Sequence, residues 1–230
     1  MQFSRIYIRS ISVLLAKTIM RNVIRFCFIL TMTLFLSGCA FLKSRDLPKT
    51  YSIAIERDKD ETQKFTGLDH FIIDISPFSA NKPFDSKLFQ ILAENKVWKE
   101  DYYNRLFLSP DILIGQELRK WLSDTENFGA VALPVFHGDA NLVINGNVEE
   151  FYVDASDPEA PQSAISIRLL VEVDQSSNGG KKVSQVFEYD DKMPIPRLHP
   201  EYVIEGWEII IGVIFSTFES DLTDFLMDLE

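Results

Sequence analysis

Alternation of apolar and polar residues marks most of the chain from residue 50 onward. Tyr51, Ile53 and Ile55 alternate with Ser52, Ala54 and Glu56, which predicts a strand with one buried face. His70–Ser76 predicts a second strand, stopped by Pro77. Its Asp74, a lone carboxylate in an apolar run, reads as a strand-end or edge residue. A third strand is predicted near Lys87–Leu92, a turn at Ala93-Glu94-Asn95-Lys96, and a fourth strand over Val97–Phe107. Trp98, Tyr102, Tyr103 and Phe107 give that fourth strand a strand-like aromatic content. Phe128–Leu133 predicts a short strand ended by Pro134, and His137-Gly138-Asp139 a turn. Leu142–Val153 predicts a long strand, with a bulge expected where Asn145-Gly146-Asn147 interrupts it. Ile165, Ile167, Leu169, Val171 and Val173 form a clean period-two face. Asn178-Gly179-Gly180 marks the turn before a return strand over Val183–Tyr189.

Two stretches carry helical spacing instead. Ser109-Pro110 opens the first. Serine at the N-cap can accept an orphan backbone N–H, and proline suits the first helical position. Ile114, Leu118, Trp121 and Leu122 then share one face, and Arg119 and Lys120 are expected in the last turns, where cations suit the dipole. The second helix is predicted from Pro200 to the end of the chain. Val203, Trp207, Ile210, Ile214, Phe218, Leu222, Phe225 and Leu229 recur at spacings of three and four. Its middle, Ile209–Phe215, is apolar almost all round, which calls for burial on more than one side. A sheet face with a second helix would supply that burial, and so would a neighbouring subunit, so a homo-oligomer is expected. A membrane span is the rival reading, but Glu208 and Glu219 bracket a stretch far shorter than the roughly 20 residues a span needs.

The N-terminal region follows another pattern. Arg21 and Arg25 precede the apolar run Phe26–Leu36, and small residues follow, as in a secretory signal with an apolar core of about 11 residues. Met20 would give an n-region of ordinary length and is the expected start. An unusually long n-region from Met1 is the alternative. Removing residues 1–38 leaves 18 basic residues against all 34 acidic ones, a net charge of −16. Such a surface repels nucleic acid and argues against it as a partner. The segment 39–49 reads as a tether, and its ten residues after Cys39 span at most about 35 Å. Residues 50–230 are long enough for one domain with a sizeable core.

Catalytic signatures are missing. His70, His137 and His199 lack HExxH spacing, and there is no GxSxG elbow, P-loop or GxGxxG. Acidic pairs such as Glu149-Glu150 and Asp190-Asp191 read as solvated charge. No catalytic residue and no metal or cofactor ligand is assigned, and the chain is expected not to be an enzyme. Of the two cysteines, Cys27 lies in the apolar core of the signal.

The other is Cys39, directly after Leu36-Ser37-Gly38. This segment resembles the lipobox of bacterial lipoproteins. The resemblance implies cleavage between Gly38 and Cys39, a diacylglycerol on the Cys39 thiol and acylation of the freed amine. That covalent lipid would be the protein's only non-protein group. Three acyl chains would hold effectively permanently, since each buried methylene contributes about 0.8 kcal/mol. Ala40, where an aspartate marks inner-membrane retention in that group, implies the periplasmic face of the outer membrane.

A second resemblance covers the remainder. Trp98, Asp101-Tyr102-Tyr103-Asn104-Arg105, Ser109-Pro110, the helix ending Leu118-x-x-Trp121-Leu122, and Phe128-x-x-Val131 are similar to the auxiliary lipoproteins of ABC-type transport systems, the PqiC-like group. So is Leu142-x-x-x-Gly146-x-Val148-Glu149-Glu150-Phe151. The segment Pro77–Phe84 departs from that group's pattern. The resemblance implies an α/β fold, a single three-layer domain with a mixed sheet, a mid-chain helix and a long C-terminal helix. It implies a non-catalytic part in moving lipid or hydrophobic solute. The partners would be an MCE-type protein that spans the periplasm, an ABC permease and ATPase, and outer-membrane lipid. A lipoprotein that assists assembly of an outer-membrane barrel or of lipopolysaccharide is the alternative, and a periplasmic hydrolase a more distant one.

Overall fold

Three long strands lie at the centre of the domain: β7 (Leu142–Ala155), β8 (Gln162–Asp174) and β9 (Lys182–Pro194), paired antiparallel in chain order. The computed structural model describes residues 47–57, 67–133, 140–175 and 181–229, with Met20 alone upstream, and Pro48 onward forms one compact unit. The turns expected at His137–Asp139 and Asn178–Gly180 lie outside the described residues.

The free edge of β7 is filled by three short parallel strands placed end to end. β2 (Ile72–Ile75) pairs at Leu142–Ile144, β3 (Ser79–Ala80) at Asn147–Val148, and β4 (Leu88–Ala93) at Val153–Ala155. β4 continues through the turn Glu94–Lys96 into antiparallel β5 (Val97–Leu106). β1 (Lys49–Tyr51) adds in parallel to β5, and β6 (Ala130–Val131) in parallel to β2. The result is the expected mixed sheet, of nine strands among the described residues.

The helices are α1 (Pro110–Asp124) and α2 (Pro200–Met227). Register shows which face they cover. Val148, Ile167 and Tyr189 stand opposite one another, as do Gly146, Leu169 and Phe187. Phe187 and Tyr189 meet Phe218 of α2 edge-on, at 5.6 and 6.3 Å. Against Gly146 lies the ring of Phe78, which also touches Gly115 of α1. Both helices therefore share one face of the sheet, and Trp121 of α1 meets Phe215 of α2 at 5.8 Å. Trp207, fully buried, packs on Phe89 and Phe151 and donates Nε1–H to the carbonyl of Tyr152 at 3.2 Å. Each such side chain contributes about 1.5–3 kcal/mol on burial. No helix among the described residues is long and apolar enough to cross a membrane. The opposite face of β7–β9 carries Asn145, Arg168, Glu172 and Glu188, with Arg168 paired to Glu149 at 3.2 Å and Glu188 at 2.9 Å.

Several local expectations change. The first strand ends at Tyr51, yet Ile53 and Ile55 are still buried. Carboxylates of the helices replace a neighbouring strand: Glu208 accepts the Ala54 N–H and Glu117 the Ile55 N–H, both at 3.2 Å. Ser109 occupies the N-cap of α1, but its hydroxyl makes no capping bond. Arg119 does not serve the helix dipole either. Its guanidinium donates to the carbonyls of Ile75 and Ala132, tying α1 to the ends of β2 and β6. Burial lowers its pKa, opposed by the charge of Asp74, so Asp74 is a buried strand residue beside a cation and not an edge residue. The bulge in β7 falls at Glu149, where register shifts between Val148 and Glu150. Gly146 answers a different need, because a β-carbon there would lie 2.3 Å from the Phe78 ring.

Candidate functional site

Cys39, the residue singled out for lipidation, lies outside the described residues, as does His137. His70 stands in the turn before β2, its Nδ1 2.9 Å from the Gly67 carbonyl oxygen, and His199 is the N-cap of α2. Among the described residues, no group of three or more His, Cys, Asp or Glu is arranged to hold a metal. What the fold builds instead is a groove with a buried polar base, an ionic corner on the other face of the sheet, and an aromatic strand.

The groove, about 890 Å³, runs between Ala54–Arg57 and the outer side of α2. Helical spacing places Ile209, Gly212, Val213, Ser216, Thr217 and Ser220 along that side. The small side chains at Gly212, Ser216, Thr217 and Ser220 keep the groove open. The apolar girdle of α2 is thus divided. Ile210, Ile211, Ile214 and Phe215 are buried, whereas Ile209 and Val213 remain 42% and 51% exposed.

At its base, Glu219 of α2 receives four donors. Arg57 approaches with both terminal nitrogens, 2.8 Å to Oε2 and 2.9 Å to Oε1. Trp121 Nε1–H donates to Oε2 at 2.9 Å, and Asn127 Nδ2 to Oε1 at 3.2 Å. The Arg57 guanidinium also lies 5.0 Å from the centre of the Trp121 ring, a cation–π contact. Two donors on each oxygen fill the acceptor positions of the carboxylate. The arrangement clamps the segment before residue 58, the end of α1 and the C-terminal half of α2 together.

On the opposite face of the sheet, Lys192 donates to Tyr152 Oη and to Asp154 Oδ2, each at 3.3 Å, and lies over the Tyr152 ring. The hydrogen bond to Tyr152 leads the causes that raise the Lys192 pKa. Burial alone would raise that of Asp154, but hydrogen bonds from Ser156 and the charge of Lys192 bring it below the usual carboxylate value. The two shifts run in opposite directions, and each favours the ionised form of its group. Elsewhere on the domain, burial and then the bond to Asp221 at 2.8 Å push the Tyr189 pKa up, which keeps that hydroxyl neutral.

Next to the ionic corner, Trp98 packs edge-on against Tyr152 at 5.1 Å and Phe84 at 5.6 Å. Trp98 belongs to β5, which stays exposed along most of its length. Beyond Asp101 its register slips, and the Asp101 carboxylate holds the N–H groups of Tyr103 and Asn104 at 2.9 and 3.2 Å. Tyr102 and Tyr103 project from the bulge so formed.

The Arg57–Glu219 clamp is not foreseen from the sequence, where Glu219 serves only to bracket the apolar middle of the C-terminal helix. A signal existed: Glu219 falls four residues after Phe215 and three before Leu222, on the apolar stripe of α2. Only burial with a partner makes a carboxylate tolerable there.

No family model matches the chain, and no curated protein matches it. Solved structures share its fold. One is a Xanthomonas campestris protein of the family model DUF330, with a TM-score of 0.58, 11% identity, and coverage of 74% of this chain and 92% of that one. Another is an uncharacterized protein, with a TM-score of 0.57, 10% identity, and coverage of 76% of this chain and 99% of that one. At such identities the likeness concerns the fold alone.

Proposed function

We propose that the protein is a lipoprotein anchored through Cys39 to the periplasmic face of the outer membrane. There it serves as a non-catalytic auxiliary component of an ABC/MCE-type system that moves lipid or hydrophobic solute. The observation that carries this reading is Leu36-Ser37-Gly38-Cys39 at the end of the apolar run, joined to a domain with the fold of a DUF330 protein. DUF330 is the family model of the PqiC-like lipoproteins, the group that the sequence resembles. The ionisable clusters support the non-catalytic part. Glu219 is saturated by four donors, and Lys192 and Asp154 hold each other ionised.

The test has two stages. Protein isolated from bacterial envelopes should begin at an acylated Cys39 by mass spectrometry, and Cys39→Ser should release it from the outer-membrane fraction. Affinity purification of the wild-type protein from crosslinked envelopes should then recover an MCE-type protein with its permease and ATPase. An N-terminus without acyl mass removes the anchor. Acylated protein that recovers a β-barrel and no transporter favours the barrel- or lipopolysaccharide-assembly role instead.

A further inference from the structure

The four exposed Phe, Tyr and Trp side chains among the described residues all belong to one strand and the residue after it. Trp98, Tyr102 and Tyr103 lie on β5, and Phe107 follows it, at 46%, 68%, 55% and 65% exposure. Every other Phe, Tyr or Trp described is buried or half-buried. The bulge held by Asp101 presents Tyr102 and Tyr103, and Asn104 locks it by donating to Asp101 at 2.6 Å and accepting from Tyr51 Oη at 3.2 Å. This surface is therefore built, not left over from a poorly packed edge.

Its position and charge say what covers it. β1 is the first strand after the tether, and it pairs with β5 itself, Lys49 opposite Asn104. Lys49 is the tenth residue after Cys39, so the anchor hangs from the immediate neighbour of the strand that carries the aromatics, within about 35 Å. Around β5, Lys49, Lys87, Lys96, Lys99 and Arg105 outnumber Glu94, Glu100 and Asp101, in a chain whose mature net charge is −16. Anionic headgroups thus repel most of the domain and not this pole. Trp and Tyr, apolar with a polar tip, are the side chains that settle at the headgroup level of a bilayer.

We propose that the aromatic side of β5 rests in the headgroup region of the membrane that holds the anchor, and so fixes the orientation of the domain. This rests on the lipoprotein reading above. Docked in this way, the domain has one defined pole on the bilayer, and the acidic end of α2 is repelled from the headgroups.

Trp98 supplies the test, because Trp121 and Trp207 are buried at 8% and 0% exposure. The full chain is produced in bacteria, its Cys39 checked for acyl mass, and reconstituted into vesicles of phosphatidylethanolamine and phosphatidylglycerol. Lipid brominated near the headgroup end of its chains should quench the exposed tryptophan signal, and acrylamide should lose access to it. Trp98→Phe should abolish the bromine quenching. Tyr102→Ser with Tyr103→Ser should restore acrylamide access while the protein stays on the vesicles. Acylated, vesicle-bound protein whose Trp98 is open to acrylamide and unquenched by bromine overturns the docking surface and leaves the anchor standing. So does Trp98 shielded only when a partner protein is added, which would make β5 a protein interface. A Cys39 without acyl mass overturns both.

Discussion

Arg57 and Glu219 stand 162 residues apart in sequence and meet through two parallel contacts of 2.8 and 2.9 Å in the base of the groove. Side-chain exposures of 12% and 9% place the pair almost wholly out of water. Glu219→Ala should cost about 3–5 kcal/mol, since it strands a cation among apolar groups. Replacing both partners together, Arg57→Met with Glu219→Leu, should cost much less. Denaturant unfolding of the two single variants and the double variant reads this directly. Equal losses in all three would contradict the clamp.

Gly146→Ala should destabilise by about 1–3 kcal/mol through overpacking, because the new β-carbon meets the Phe78 ring at 2.3 Å. Combined with Phe78→Leu, the loss should fall below the sum of the two single losses. Additive losses in thermal unfolding would place the cause elsewhere.

Ser109→Ala should change stability by less than about 0.5 kcal/mol, although an N-cap serine that bonds a helix amide is worth about 1 kcal/mol. The hydroxyl makes no such bond here. A full capping loss in the same assay would show the bond to be present in solution.

Lys192 and Asp154 predict a pH dependence with two limits. The lowered pKa of Asp154 makes its contribution present above the ordinary value of 3.8 and lost as pH falls through the folded value. The raised pKa of Lys192 makes its own present below 10.5 and lost as pH rises through the folded value. Wild type should therefore exceed Lys192→Met in unfolding midpoint across the neutral range, and the two should converge in acid, below the lowered pKa of Asp154, and at strongly alkaline pH. The pair is partly exposed, so the plateau should stay under about 1 kcal/mol. A difference that persists undiminished in acid would rule out Asp154 as the partner.

How much of this was legible depends on how far each determinant reaches along the chain. The period-two run Ile165–Val173 and the three-and-four spacing from Val203 to Leu229 place β8 and α2 because each pattern is complete within its own segment. Tyr51–Ile55 was legible in burial but not in pairing, since the partners of Ala54 and Ile55 are carboxylates 154 and 62 residues away. The purpose of Gly146 is invisible without Phe78, and the role of Glu219 without Arg57. The bulge was expected at the glycine because glycine suits bulges, yet packing against a ring explains that residue. The groove and the aromatic pole of β5 needed the fold to show which apolar side chains stay uncovered.

The way β2, β3 and β4 share a single edge of β7 also bears on how the protein is made. Made from its N-terminus, the chain presents those three strands well before residues 142–155, the backbone that they share as a partner among the described residues. Closing such distant pairings costs loop entropy before any ladder bond repays it. The β7–β8–β9 meander, by contrast, closes through neighbouring segments. The later half of the chain thus supplies the edge that the earlier half needs, and the three short strands gain their common ladder partner only once residues 142–155 are in place.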